Sequence, residues 1–243
     1  MIKSTENIIE VKDLVKKFGS FVANDHLTFE VKKGEIFGFL GANGAGKTTA
    51  IRILSGLSYP TSGDVAVAGY DVYKEREKVK QNIGYMSQKF SLYEDLTVRE
   101  NIRFYGGIYG LSNKYIKEKT NTLLERLNIK DIQHSLIGSL PLGWKQKIAF
   151  SVAIFHDPKI VFLDEPTGGV DPITRRDFWE MIYDASNSGI TVFVTTHYMD
   201  EAEYCDRVSI MDKGKIEGMD TPVALKEEFN AKDMDEVFIK IAR

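Results

Sequence analysis

The residues of this chain with the clearest chemical potential form a glycine-rich stretch near its start. Eight of them match the G-x-x-x-x-G-K-[ST] pattern without a mismatch, and one more threonine follows: Gly41, Ala42, Asn43, Gly44, Ala45, Gly46, Lys47, Thr48 and Thr49. An apolar run of strand length precedes the stretch, and a helical pattern follows it. In that arrangement backbone N–H groups and a helix N-terminus converge on phosphate oxygens. The stretch therefore predicts nucleoside triphosphate binding, with Lys47 on the β- and γ-phosphates and the Thr48 hydroxyl on Mg²⁺.

A pair of acids at the end of a second apolar run supplies the complementary chemistry. The run 159–163 reads as a buried strand and ends in Asp164 and Glu165. Asp164 is placed to join the Mg²⁺ shell, and Glu165 can orient or deprotonate the water that attacks the γ-phosphate. Many strands end in acids, so the pair alone is weak evidence. It becomes informative because a complete phosphate loop accompanies it. Together the two motifs favour ATP hydrolysis over transfer of phosphate to an acceptor.

The composition limits the classes of protein to consider. The chain has 243 residues, a formal net charge of -3 and no dense basic stripe, which argues against nucleic acid as the main partner. Cys205 is its single cysteine, so no internal disulfide can form, as suits a reducing compartment. No apolar run approaches the ~20 residues that span a bilayer, and the first residues lack an apolar signal core. We therefore expect any work at a membrane to depend on docking to another protein.

The elements that must position these motifs alternate between strand and helix patterns. Strand-like runs occur at 8–11, 26–31, 64–69, 83–86, 159–164 and 191–196. From about residue 96 to residue 155 the periodicity is mostly helical, and Thr97 with Glu100 forms a capping box at its start. Strands that alternate with helices indicate a mostly parallel sheet covered on both faces. The sequence thus predicts an α/β fold: a P-loop NTPase core with a mostly parallel sheet, an N-terminal antiparallel β region and an inserted helical subdomain.

The same patterns predict how the chain divides. Residues 1–89 and 159–218 form the nucleotide-binding core, which is a single ATPase domain. Residues 90–158 form the helical subdomain, and residues 219–243 form a C-terminal extension. In that extension four apolar residues at i, i+3, i+4 and i+7 make one face of a terminal helix: Met234, Val237, Phe238 and Ile241.

The order of the motifs resembles the nucleotide-binding subunit of an ATP-binding cassette (ABC) transporter over essentially the whole chain. The matching elements, in chain order, are Phe18, the phosphate loop, Gln88, a signature region near 140–146, the pair Asp164 and Glu165, Asp171 in an aspartate loop, and His197. The resemblance implies ATP and Mg²⁺ as ligands, with Thr48, Gln88 and Asp164 around the metal. It also implies that Glu165, His197 and Gln88 act in catalysis.

The resemblance assigns roles that the local sequence alone leaves open. Phe18 would stack on adenine, although an ordinary core phenylalanine is the alternative. Gln88 would touch Mg²⁺ or the attacking water, whereas a glutamine after a strand is usually only a polar loop residue. His197 would contact the γ-phosphate, although a histidine at a strand end is most often structural. Asp171 would lie across a dimer interface, or it simply caps the helix that an Asp-Pro pair begins.

The signature region departs from the family pattern. The family reads Leu-Ser-Gly-Gly followed by Gln or Met, whereas this chain reads Leu140, Pro141, Leu142, Gly143 and Trp144. In the family this segment opens a helix that binds the γ-phosphate held by the opposite subunit. Pro141 has neither a hydroxyl nor an N–H group, and Leu142 adds bulk where a glycine permits close approach, while Gly143 remains. We therefore expect a homodimer to hydrolyse ATP slowly and predict a heteromeric or tandem-fused pair of cassettes.

The segment 93–111 and the terminal helix resemble the branch of the family that exports drugs, lipids or polysaccharides through a separate or fused permease. This resemblance implies an ATP-hydrolysing subunit that drives export by nucleotide-dependent dimerisation with a second cassette. It also implies a cytoplasmic protein, peripheral to the inner face of a membrane, with a transmembrane permease and no nucleic acid as partners. The expected docking surface is the groove near 88–96.

Two alternatives stay open from the residues. The first is a soluble ABC ATPase acting on ribosomes or DNA, a class that usually has two cassettes with a charged linker or a long coiled coil. This chain has one cassette and neither insertion. The second is a partner cassette that binds ATP without hydrolysing it. The retained Glu165 and His197 argue against that role at this chain's own site, and the altered signature favours it at the opposite site.

Overall fold

Strands and helices alternate along the chain in the computed structural model, which describes residues 7–88 and 92–241. The strands within these residues are β1 (Asn7–Phe18), β2 (Phe21–Lys32), β3 (Ile36–Gly41), β4 (Ser62–Val67), β5 (Tyr70–Asp71), β6 (Ile83–Met86), β7 (Ile160–Asp164), β8 (Thr191–Thr196), β9 (Arg207–Asp212) and β10 (Lys215–Asp220). The α-helices are α1 (Lys47–Leu54), α2 (Arg76–Gln81), α3 (Val98–Ile108), α4 (Asn113–Arg126), α5 (Leu142–Ala153), α6 (Pro172–Asn187), α7 (Pro222–Glu228) and α8 (Met234–Ile241).

The strands form two sheets of different character. The larger sheet has the order β10-β9-β3-β8-β7-β6, and its strands from β9 to β6 are parallel, while β10 pairs with β9 in antiparallel fashion. The smaller sheet has the order β2-β1-β4-β5 and is antiparallel throughout. The predicted α/β fold, with a mostly parallel sheet and an N-terminal antiparallel region, is confirmed.

The central strands of the larger sheet are buried on both faces. Every residue of β3, β7 and β8 is buried, which explains why these runs are apolar without alternation. Between the two sheets, aromatic rings pack closely: Phe39 lies 5.2 Å from Phe193, and Phe29 lies 5.5 Å from Phe39, between ring centroids. Helices α3 to α6 bury their apolar faces in a second cluster on the other side. This packing holds the C-terminal ends of β3, β7 and β8 side by side, and the predicted site residues follow those ends.

Helices α3, α4 and α5 lie in the sequence between β6 and β7, which are neighbours in the sheet. The predicted capping box is present at the start of α3, where Thr97 Oγ1 accepts from the Glu100 N–H and Glu100 Oε2 accepts from the Thr97 N–H at 2.8 Å. The helices are therefore inserted between two adjacent parallel strands. The division at residues 89 and 90 falls at the gap in the described residues and stays a prediction.

The C-terminal helix has the apolar face that its spacing predicts. Met234 and Val237 are buried, and Phe238 and Ile241 pack partly buried against the same cluster. Helix α8 packs against the 3-10 segment Met199–Tyr204, which follows β8. Across the described ranges of the chain, none of the helices combines the length and apolar character that crossing a bilayer requires.

Candidate functional site

The glycine-rich stretch forms a tight loop between β3 and α1. Gly44 and Gly46 have φ values of +84° and +105°, which side chains other than glycine rarely adopt. A Cβ at Gly46 would also lie 2.3 Å from the Ala23 carbonyl oxygen, so the loop admits no larger residue there. Gly46 is the N-cap of α1 and offers no side chain to cap it, and the first N–H groups of a helix lack intrahelical acceptors. The loop is thus built to receive an anion at the start of α1.

Lys47 is buried within this loop. Its Nζ donates hydrogen bonds to the carbonyl oxygens of Gly41 at 2.7 Å and Ala42 at 3.1 Å, and it lies 3.6 Å from Glu165 Oε1. Burial lowers the pKa of Lys47, and the nearby carboxylates of Glu165 and Asp164 oppose that shift. The ammonium group is therefore held between the phosphate loop and the acidic end of β7.

Asp164 closes β7 and is also buried. Its Oδ1 accepts hydrogen bonds from Thr195 Oγ1 at 2.7 Å and from Thr48 Oγ1 at 3.3 Å. Burial raises the pKa of Asp164; the Thr195 hydrogen bond opposes this shift, and the charge of Glu165 adds to it. The hydroxyl of Thr48 and the carboxylate of Asp164 thus present adjacent oxygen atoms, the ligand type that Mg²⁺ prefers.

Glu165 is the point at which the predicted catalytic residues meet. Gln88 Nε2 donates to Glu165 Oε2 at 2.8 Å, and His197 Nδ1 lies 3.1 Å from the same oxygen. With Lys47 Nζ beside the other carboxylate oxygen, three side chains from separate loops surround one acid. The structure therefore brings Gln88, Glu165 and His197 together, as the resemblance implies.

Phe18 lies at the end of β1, away from the core. Its side chain is 56% exposed, and Lys16 Nζ lies 4.9 Å from its ring centroid. The alternative of an ordinary core phenylalanine is therefore excluded. An exposed ring leaves its face accessible to a planar base, so adenine stacking stays a prediction.

The signature region begins helix α5 with Pro141 as its N-cap and without a side-chain capping bond. Pro141, Leu142 and Gly143 line a surface cleft of about 360 Å³ together with residues of the aspartate loop and the start of α6. The Leu142 side chain lies over Gly169, with its Cδ2 3.5 Å from where a Cβ would be. Part of the extra bulk of Leu142 is thus accommodated within the chain.

Asp171 has the local role that its sequence context allowed. Its Oδ1 accepts from the N–H groups of Ile173 and Thr174 at 3.0 Å each, and its Oδ2 accepts from Thr174 Oγ1 at 2.6 Å. These bonds lower the pKa of Asp171. Asp171 therefore caps helix α6, and its predicted place at a dimer interface stays a prediction.

Sequence reasoning missed the role of Thr195. Its hydroxyl donates to Asp164 and accepts from the Glu165 N–H at 3.1 Å, so it contacts both acids. The available signal was its position, since two threonines end the apolar strand β8 directly before His197. Gln146, which donates a hydrogen bond to the Gly168 carbonyl oxygen, was also missed as an individual residue.

Comparison with known proteins supports this reading of the motifs. The family model described as "ABC transporter" matches residues 24–168. The chain is 48% identical over 242 residues to the probable multidrug ABC transporter ATP-binding protein YbhF of Escherichia coli, covering 97% of this chain and 42% of that protein. It is 39% identical over 214 residues to the bacitracin transport ATP-binding protein BcrA of Bacillus licheniformis, covering 86% of this chain and 68% of that protein.

Solved structures share the fold. One described as an ATP binding subunit of an ABC transporter superposes with a TM-score of 0.87 at 27% identity, covering 97% of this chain and 100% of the other. The chain spans less than half of the length of the Escherichia coli relative.

Proposed function

The chain belongs to the ABC transporter family, and from that premise we propose that it binds and hydrolyses ATP and thereby drives export through a membrane permease. The observation that carries the proposal is the set of side chains that lie around the Glu165 carboxylate. Its carboxylate lies next to Lys47 at 3.6 Å, Gln88 at 2.8 Å and His197 at 3.1 Å, directly after Asp164. An acid so placed beside a phosphate loop fits a water-activating group.

The proposed nucleotide site uses the loop 41–49 as a cradle for the phosphates, with Lys47 on the β- and γ-phosphates. Phe18 stacks on the base. Thr48 and Asp164 would hold Mg²⁺, with Gln88 as a further oxygen ligand, and the bound metal would supply positive charge that neutralises the phosphates. The 3.3 Å separation of the Thr48 and Asp164 oxygens supports this assignment.

The proposed reaction is in-line hydrolysis of the γ-phosphate. Glu165 orients a water molecule and accepts its proton as the water oxygen bonds to phosphorus and the bond to the β-γ bridging oxygen breaks. Gln88 and His197, both beside Glu165 Oε2, fix the orientation of that carboxylate, and His197 is placed to contact the γ-phosphate. Lys47 stabilises the negative charge on the phosphate oxygens.

The proposed permease contact lies on the helical segment next to Gln88. Tyr93 and Phe104 are 47% and 41% exposed, and their rings meet at 4.9 Å, with Tyr105 5.4 Å from Phe104. Ile108 continues the exposed surface along α3. An exposed apolar patch of this kind suits a protein partner. It overlaps the groove predicted near 88–96, of which residues 89–91 lie outside the described part of the chain.

The proposed assembly has two cassettes, because the signature of one is expected to complete the nucleotide site of the other. The altered Pro141 and Leu142 favour a partner cassette with an unaltered signature, either as a separate subunit or in a fused chain. In this proposal the core comprises 1–89 and 159–218, the helical subdomain 90–158, and the C-terminal extension 219–243. The location follows the permease, at the cytoplasmic face of the membrane.

The proposal is tested by measuring Mg²⁺-dependent ATP turnover of the purified protein with and without a co-expressed candidate permease in membranes. We expect turnover in both states, and recovery of the protein in the membrane fraction only when the permease is present. Turnover without membrane recovery for any candidate permease would favour a soluble ABC ATPase. Tight ATP binding without turnover in either state would favour a non-hydrolysing partner cassette.

A further inference from the structure

We propose that Gln146 is a positioning residue for ATP hydrolysis, which acts from the signature helix α5 by holding the turn that carries Glu165. The inference rests on the proposed function, since it assigns a role in the same reaction. Within the described residues, Gln146 itself donates no side-chain hydrogen bond to the phosphate loop, Asp164 or Glu165; its donor bond is to Gly168.

The connection from Gln146 to Glu165 consists of two hydrogen bonds. Gln146 lies on α5 and is 5% exposed, and its Nε2 donates to the Gly168 carbonyl oxygen at 3.2 Å. The Gly168 N–H donates in turn to the Glu165 carbonyl oxygen at 3.3 Å. The amide orientation follows from chemistry, because a carbonyl oxygen can only accept and Gln146 must therefore face it with nitrogen. The side chain thus closes the turn 165–168 from the helix side.

Glu165 needs such support because of its backbone conformation. Its φ is +49°, in the left-handed region that residues with a side chain seldom adopt because the Cβ then crowds the following carbonyl oxygen. Residues in such conformations persist where the surrounding structure holds them. On one side the Glu165 N–H donates to the Thr195 carbonyl oxygen at 3.1 Å, and on the other the Gly168 bond holds its carbonyl. Loosening Gly168 therefore weakens the hydrogen bond that holds the Glu165 carbonyl oxygen.

The contacts of Gln146 do not suit a role in stability alone. Its Oε1 is buried without a hydrogen-bond partner among residues 7–88 and 92–241. Leaving a buried polar atom unpaired costs at least as much free energy as a single hydrogen bond contributes. Gln146 also lines a cavity of about 190 Å³ with apolar Ala149 and Pro166 and with Gln88 and Glu165. Within the described residues, the side-chain hydrogen bond that this amide makes is the one to the Gly168 carbonyl oxygen.

This geometry connects two successive turns of the signature helix to different nucleotide sites. Its first turn carries Leu142 and Gly143, which in the proposed dimer face the nucleotide bound to the partner cassette. Its next turn carries Gln146, which holds the turn beside this chain's own Glu165. Leu142 adds a second contact between the same segments, since it lies over Gly169. A shift of α5 on closure over one nucleotide would therefore reposition the acid at the other.

The test compares the wild-type protein with Gln146→Met, which keeps the length of the side chain and removes the donor. Gln146→Glu replaces the donor by an acceptor that repels the Gly168 carbonyl. Gln133→Met is the matched control, because Gln133 also has one side-chain bond, to Arg99 at 2.9 Å, in the helical segment. The measurements are kcat and KM for ATP, the melting temperature, and hydrogen–deuterium exchange of the segment 165–171.

We expect Gln146→Met to lower kcat about 10-fold or more, because small misplacements of a reacting group have effects of that size. KM should stay within about 2-fold of wild type, the melting temperature within about 2 °C, and exchange in 165–171 should be faster. Gln146→Glu should lower kcat at least as far, and Gln133→Met should match wild type.

A fall in kcat that is matched by a lower melting temperature would show a structural role and overturn the inference. Unchanged kcat in both Gln146 variants, with an active wild type, would overturn the inference and leave the proposed function standing. An inactive wild type, alone and with the permease, would refute both.

Discussion

Thr195 Oγ1 donates a hydrogen bond of 2.7 Å to Asp164 Oδ1 from the neighbouring strand of the parallel sheet. The same hydroxyl accepts from the Glu165 N–H, so one small side chain contacts the proposed metal ligand and the backbone of the proposed base. The relationship holds both acids to β8, the strand that also leads to His197. Thr195 therefore links the positions of Asp164, Glu165 and His197.

Thr195→Val removes this hydroxyl with almost no change in volume. Loss of the bond should reduce the affinity of the site for Mg²⁺ by about 10- to 100-fold, the usual effect of removing a group that orients a metal ligand. The measurement is the Mg²⁺ concentration that gives half-maximal ATP turnover. Thr191→Val is the matched control on the same strand. Thr191 lies at the end of β8 that is far from the acids, and its Oγ1 accepts from the Gly34 N–H. Equal Mg²⁺ dependence in the two variants would contradict the prediction.

Glu165→Gln tests the proposed base directly. The amide keeps an oxygen that can accept from Gln88, so ATP binding should be retained, while turnover should fall by at least ~10²-fold because the amide accepts no proton. Nucleotide binding by fluorescence and steady-state turnover are measured on the same preparation. Turnover at the wild-type rate would remove Glu165 from the role of base.

Lys47→Ala should have a different signature from Glu165→Gln. Lys47 supplies the positive charge nearest to the phosphate loop, so its loss should weaken both nucleotide binding and turnover. Binding isotherms for ATP give the first effect and turnover gives the second. A variant that binds ATP as tightly as wild type would show that the loop backbone alone holds the phosphates.

Local patterns predicted the parts of this structure that depend on neighbours in sequence. The phosphate loop, the mostly apolar strands β7 and β8, and the Thr97 capping box are of this kind, and each is present. The role of Thr195 could not be read in the same way, because its partner Asp164 comes from a different strand. For Gln146 the partner is a backbone carbonyl in a loop after β7, and no side-chain pattern records it. Asp171 is intermediate, since its capping role is local and its predicted interface role depends on a second cassette.

The stability of the protein should depend on pH through His156. Its ring stacks on Tyr109 with centroids 3.4 Å apart, and its Nε2 lies 3.0 Å from the Ile83 carbonyl oxygen. Burial lowers the pKa of His156 from 6.5 to about 4, with opposing contributions from the Ile83 hydrogen bond and the charge of Asp157. The unfolded chain then binds the proton more readily than the folded one, so stability is lost as pH falls from about 6.5 towards 4.

Chemical denaturation at pH 7.5 and pH 5 measures this effect. We expect the free energy of unfolding of wild type to fall by about 1 kcal/mol more than that of His156→Gln, because solvent screens part of the shift. His134→Gln, at an exposed histidine of the helical segment, is the matched control and should follow wild type. An identical pH dependence in all three proteins would show that His156 protonates without cost in the fold.

Substitutions in the altered signature separate its effect on the stability of α5 from its effect on ATP turnover. Pro141 is the N-cap of α5 with φ -57° and ψ 151°, a conformation that serine also adopts, and it makes no side-chain capping bond. Pro141→Ser should therefore stabilise α5, since capping residues contribute about 0.5–2 kcal/mol, and raise the melting temperature by a few degrees. Leu142→Gly should lower it, because it removes the contact over Gly169 and adds a flexible residue to the first turn.

The double variant Pro141→Ser, Leu142→Gly tests what the departure does to catalysis. If a serine hydroxyl and a close backbone approach are what a homodimer lacks, turnover of the chain alone should rise by roughly 10-fold or more, the effect of a hydrogen bond to a charged phosphate. The gain should vanish when Glu165→Gln is added, because the restored signature can act only through a competent base. Unchanged turnover, at a wild-type rate already close to that of a cassette with an unaltered signature, would show that Pro141 and Leu142 are compatible with a working site. In that case a second, different cassette would not be needed to explain the sequence.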